Sequence, residues 1–193
     1  MKFKTCGALL MSILAYGCAT DRGPHESAPT SAPAAAPVAA PLPLLSMPSA
    51  STKRLVLNMT GPATVTQAKD WPAFQEEWRA TFAEHAKEAG VEFSVQKGEP
   101  RSIGETGTLL QVYVNDYRMV GIGARIFLGV MTGNAYIDAK AGYTDLNDGK
   151  EFGDRIYNTT SSAWGGVFAK MTPQQVDAIA SRVFAELATA TIN

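Results

Sequence analysis

The sequence predicts an α+β domain of two layers, a mixed sheet of about five strands with two amphipathic helices packed on one face. Three observations predict it. Apolar residues recur at three- and four-residue steps over Trp71 to Ala89 and again over Val176 to Leu187, the signature of a helix with one buried stripe. Short runs rich in Val, Leu, Ile and Tyr lie between and before those segments and suit strands. Their order along the chain is β-α-β-β-β-β-α.

Each element has its own signals. Lys53 to Thr60 is the first strand, with Leu55, Val56, Leu57 and Met59 ended by Gly61-Pro62. Asp70 then reads as an N-cap, with Pro72 in the first turn. Trp71, Phe74, Trp78, Phe82, His85 or Ala86, and Ala89 form the first helical stripe, and Gly90 stops it. Val91 to Val95 is a short strand, and Thr108 to Met119 alternates at Leu110, Val112 and Val114. Ala135 to Thr144 and Glu151 to Thr160 are two strands joined by Asp145-Leu146-Asn147-Asp148-Gly149, a hairpin sequence. Thr172-Pro173-Gln174-Gln175 combines a cap, a proline at the first helical position and a capping-box glutamine. Val176, Ile179, Ala180, Val183, Phe184 and Leu187 make the second stripe.

Ahead of this domain the composition changes. Seven of the eleven prolines fall between residues 19 and 52, amid Ala and Ser, so residues 18–52 read as a leash and 53–193 as a single globular domain. Such a leash cannot bury enough apolar surface to offset its ordering entropy. Polyproline II at ~3.1 Å per residue gives it a reach on the order of 100 Å. His25 lies within it and is assigned no ligand role.

Residues 1–17 read as an export signal. Lys2 and Lys4 precede an uncharged, mostly apolar run from Thr5 to Tyr16, too short to cross a hydrocarbon core of ~30 Å. The run closes in Leu14-Ala15-Tyr16-Gly17-Cys18, which resembles the bacterial lipobox. That resemblance implies cleavage before Cys18, a diacylglycerol on its thiol and an acylated amine. Two or three chains hold a protein to a membrane where one holds it marginally. Ala19, not aspartate, follows Cys18, and by enteric sorting rules this implies the outer membrane, facing the periplasm.

The remaining chemistry is read largely by exclusion. Cys6 lies in the signal and Cys18 is acylated, which leaves the domain no thiol for nucleophilic, redox or zinc chemistry. Net charge is −1 and no basic stripe is present, so nucleic acid is not an expected partner. His85 is the domain's histidine and sits on a helical stripe, so no catalytic constellation is read and no enzyme is expected. Asp145, Asn147 and Asp148 alternate like part of a calcium loop but lack the downstream glutamate; no metal and no cofactor are expected.

Two segments stand out as candidate partner-binding sites. Val120 to Thr132 is apolar, carries Gly121, Gly123 and Gly129, and holds the single charge Arg125. Arg125, Ile126, Phe127 and Leu128 are read either as a docking loop or as core filling with Arg125 paired to a carboxylate. Trp164, before Gly165-Gly166, is read either as an interface anchor or as a plug closing the sheet. The glycine spacing fits neither a phosphate loop nor a dinucleotide loop.

Gly121-Ile122-Gly123-Ala124-Arg125, Gly133-Asn134-Ala135 and Asp145 to Gly149 together resemble a family of uncharacterised bacterial lipoproteins over roughly residues 105 to 190. More distantly, the segments are similar to the periplasmic domain of the curli secretion lipoprotein. The element order is similar to the lipoprotein activators of peptidoglycan synthases and to the N-terminal domain of TolB. These resemblances imply a periplasmic interaction domain that is not an enzyme. The expected function is an outer-membrane-anchored binding or assembly module for another envelope protein or for itself. The alternative is an inhibitor or immunity lipoprotein against a toxin or hydrolase.

Overall fold

The computed structural model describes residues 43–120, 134–160 and 172–190. Five strands form one sheet in the order β2-β1-β3-β4-β5: β1 (Arg54–Thr60), β2 (Glu92–Gln96), β3 (Thr108–Arg118), β4 (Tyr136–Asp145) and β5 (Glu151–Asn158). β1 pairs in parallel with both β2 and β3, whereas β3-β4 and β4-β5 are antiparallel. The helices are α1 (Ala63–Thr66), α2 (Trp71–Ala89) and α3 (Thr172–Thr189). Fold class and element order are those the sequence predicts, with strand ends moved by one or two residues and α1 added.

The helical stripes are buried as their spacing predicts, save Ala89, which is exposed in the last turn of α2. Trp71, Phe74, Trp78, Phe82 and Ala86 of α2 are buried with Val176, Ile179, Ala180, Val183, Phe184 and Leu187 of α3. They meet Leu55, Leu57, Leu110, Val112, Val114, Ile137, Ala139 and Tyr143 from one face of the sheet in a single core. A ladder of rings braces α2: Phe74 lies edge-on to Trp78 at 6.0 Å, and Trp78 stacks on Phe82 at 5.4 Å. Gly90 closes α2 in the left-handed conformation at φ 66°, returning its N–H to Lys87 O.

The opposite face is covered at one end. β1 to β2 runs through α2 on the helix side. The return from β2 to β3 passes β1 in the reverse direction, so a right-handed connection must use the other face. Residues 97–107 do so. Asn58 Nδ2 donates to Gln96 O and Gly98 O at 3.0 Å each, and Ile103 N donates to Leu146 O at 2.9 Å. Val56, Leu109 and Leu146 form a small second cluster there. Beyond it Tyr113, Lys140 and Ile156 make an exposed row across β3, β4 and β5.

The 145–149 turn forms as predicted and fixes the β4-β5 register. Gly149 N reaches Asp145 O at 2.9 Å, while the Asp145 and Asp148 carboxylates accept from Asn147 N and Lys150 N at 2.8 Å each.

Among the described residues, packing into the core is already present at Leu45, ahead of residue 53, where composition places the start of the domain. Leu45 is 2 % and Met47 1 % exposed, and both join the main core. Each such burial stabilises by about 1.5–3 kcal/mol. A 3-10 turn over Ser49–Lys53 then leads into β1, and Ser51 O accepts from Thr108 Oγ1 at 2.8 Å. Two alternating apolar residues among prolines and serines make too short a period to stand out in the sequence.

Candidate functional site at the far end of the sheet

The register gives the sheet two distinct ends. One, here the near end, carries Arg54, Glu92, Thr108, Asp145 and Glu151. At the far end, β3 stops at Arg118 opposite Tyr136, where β4 begins, and β5 stops at Asn158 opposite Asp138. Segments 121–133 and 161–171 therefore both leave and rejoin the fold at the far end. Arg125, Ile126, Phe127, Leu128 and Trp164 lie on them, outside the described residues, as does Cys18.

The flanks of the two segments are bonded to each other. Val120 N donates to Thr172 Oγ1 at 2.8 Å, and Thr172 N returns to Val120 O at 3.1 Å. Gln175 Nε2 donates to Ala135 O at 2.8 Å, and Thr159 N donates to Ile137 O at 2.9 Å. Val120, Ala135, Thr172 and Gln175 are all buried. Thr172 and Gln175, the two residues read as a capping box, thus bind across the chain as well as opening α3. These bonds make a four-point frame whose parts come from β3, β4, β5 and α3.

Two tyrosines border the frame. Tyr117 stacks on Phe74 at 4.1 Å and donates from its hydroxyl to Asp70 Oδ1 at 2.8 Å. Asp70 holds the N-cap position of α2 as predicted, yet its side chain makes no capping bond to the helix. Burial, reinforced by that carboxylate, pushes the Tyr117 hydroxyl well above its ordinary pKa. Tyr136 donates to Asp116 Oδ2 at 2.7 Å, which raises its pKa too. Both hydroxyls are held neutral as donors.

Sequence reasoning missed a second polar cluster, under α3. Arg155 is 6 % exposed and faces the helices from β5. Its Nε meets Glu186 Oε1 at 2.9 Å, Nη1 reaches Asp154 O at 2.7 Å, and Nη2 reaches Pro43 O at 2.8 Å. Tyr143 donates to Glu186 Oε2 at 3.1 Å and shares a 2.9 Å bond with Tyr157. Burial, with Tyr157 and Glu186 nearby, lifts the Tyr143 hydroxyl well above its ordinary pKa. The sequence signal was available: Arg155 occupies an inward phase of the β5 alternation, and Glu186, thirty-one residues on, supplies the counter-charge that makes that position tolerable.

His85 links the helices. Its Nε2 lies 2.8 Å from Asp177 Oδ1, and its ring stacks on Phe184 at 6.1 Å. Among the described residues, no three His, Cys, Asp or Glu side chains gather as a metal site. No helix among them is long and apolar enough to cross a membrane.

These features define a two-layer α+β domain with a bonded frame at one end. No family model matches the chain, and no curated protein matches it. Among solved structures it is similar to the PelC dodecamer from Paraburkholderia phytofirmans, at 12 % identity and a TM-score of 0.38 over 76 % of this chain and 92 % of that one. It is similar to lipoprotein GNA1162 from Neisseria meningitidis, at 14 % identity and 0.34 over 71 % and 99 %. A third likeness is to a neuraminyllactose-binding hemagglutinin homolog from Helicobacter pylori, at 9 % identity and 0.32 over 78 % and 90 %.

Proposed function

We propose that this chain is a lipid-anchored lipoprotein of the outer membrane, facing the periplasm, whose domain binds another envelope protein through its far end. It is a binding module and not an enzyme. One observation carries the reading. The flanks of the two segments bearing Arg125, Ile126, Phe127, Leu128 and Trp164 are bonded to each other through Val120–Thr172 and Ala135–Gln175, at the end of the sheet away from the chain's route into β1. Flanks bonded in this way suit docking, because a partner need not first order the supports of the segments it would meet. His85 already bonds Asp177 and braces α2 against α3, which supports a structural use for that ring.

The test is photo-crosslinking in intact envelopes, with the probe placed at Phe127, Trp164 or Tyr113. Adducts of one discrete mass at Phe127 and Trp164, and none at the exposed sheet residue Tyr113, are expected. Equal labelling at all three positions refutes a far-end docking site. Fatty-acid labelling of the wild type and of Cys18→Ser tests the anchor independently.

A further inference from the structure

Residues 43–53 form a strap fastened at separate points rather than along a ladder. It starts beside β5, where Arg155 Nη2 holds Pro43 O at 2.8 Å. It then passes Gly153, whose absent Cβ leaves room for Leu45: a β-carbon there would lie 2.9 Å from Leu45 Cδ2. Next it crosses the near end of the sheet, where Thr108 Oγ1 lies 3.7 Å from Met47 Sδ and bonds Ser51 O. It finally turns through Ser49–Lys53 into β1. Between its two ends it lays Leu45 and Met47 into the core, while Leu44, Ser46, Pro48, Ser49 and Ala50 are exposed.

β1, by contrast, is hydrogen-bonded on both sides and buried along its middle. The strap sets the buried Leu45, Met47 and Ser51, a β-bridge at Ser46 and its hydrogen bonds to Arg155 and Thr108 against the ordering entropy of about ten residues. Segments fastened at points, and not on both sides like β1, open below the free energy of global unfolding.

We propose that residues 43–53 are a releasable strap: stored slack that Arg155 and the Gly153 notch hold against the domain, and that lets go without unfolding the sheet. Ten residues freed to full extension add roughly 35 Å to the reach of whatever precedes them. This use as slack rests on the leash reading above; the release itself does not.

The test is hydrogen exchange on the full chain, comparing amides 44–52 with those of Leu55 to Met59. Strap amides are expected to exchange at least tenfold faster than β1. Leu45→Ala, which leaves Arg155 and Glu186 in place, is expected to speed the strap a further tenfold with β1 unchanged. Arg155→Lys, which keeps the charge but loses the forked grip, is expected to do the same. Strap amides that exchange at the β1 rate overturn the proposal. So do variants that both speed strap and β1 together, or that both leave the strap rate unchanged. Because the readout needs no anchor, an unlipidated chain with a fast strap sinks the leash reading alone.

Discussion

The far end of the sheet and the cluster under α3 are held by different chemistry. At the far end the frame is neutral: backbone groups, the Thr172 hydroxyl and the Gln175 amide join four chain flanks. Under α3, midway along the sheet, the cluster is ionic and aromatic, with Arg155 and Glu186 drawn out of water and Tyr143 and Tyr157 beside them. Neutral bonds define position at modest individual strength, while a buried ion pair is stable only as a set, since either member alone is a stranded charge. The far end therefore tolerates single losses that the cluster under α3 does not.

The largest effect is expected at Arg155. Arg155→Met takes from Glu186 its buried counter-charge, leaving it the Tyr143 hydroxyl and the half-exposed Arg182 at 3.9 Å, and should lower unfolding free energy by about 3–5 kcal/mol in denaturant titration. At the far end, Thr172→Val strands the buried Val120 N–H and should cost about 1–3 kcal/mol by the same measurement. Equal losses from the two variants would break the contrast.

Tyr143→Phe sharpens it at lower cost. Removing the hydroxyl gives up a bond to Glu186, worth about 1 kcal/mol at neutral pH. Its raised pKa also fixes a sign. An unfolded tyrosine releases its proton near pH 10, at about its ordinary value, while the buried Tyr143 keeps its own, so the fold holds more protons than the open chain above that pH. Stability from this group is whole below about pH 10 and falls as pH climbs toward the folded-state pKa. Melting curves from about pH 8 to 11.5 should show that alkaline decline, with a smaller slope in the phenylalanine variant. A slope identical in both proteins would remove Tyr143 from the account.

What could be read in the sequence was local. The three- and four-residue spacing of Trp71 to Ala86 set α2, and Asp145 to Gly149 set the hairpin, because each signal sits inside the element it specifies. Missed features depended on distant partners. The Asp70 carboxylate binds Tyr117, forty-seven positions away, and Pro43 O meets Arg155 across 112 positions. α1 went unread because Ala63-Thr64-Val65-Thr66 is one turn of weak helix formers. The candidate residues Arg125 to Leu128 and Trp164 were singled out by composition alone, whereas the frame that brings their flanks together is a matter of sheet register and could not be read in advance.

Arg155 and its counter-charge are made far apart in time. A ribosome delivers the arginine thirty-one residues before Glu186. Until the final helix has emerged, a nascent domain would have to bury a bare cation or leave β5 unsettled. The sheet's last edge is thereby barred from closing on a chain cut short before residue 186, and a fragment of that kind would present itself to proteases as unfinished.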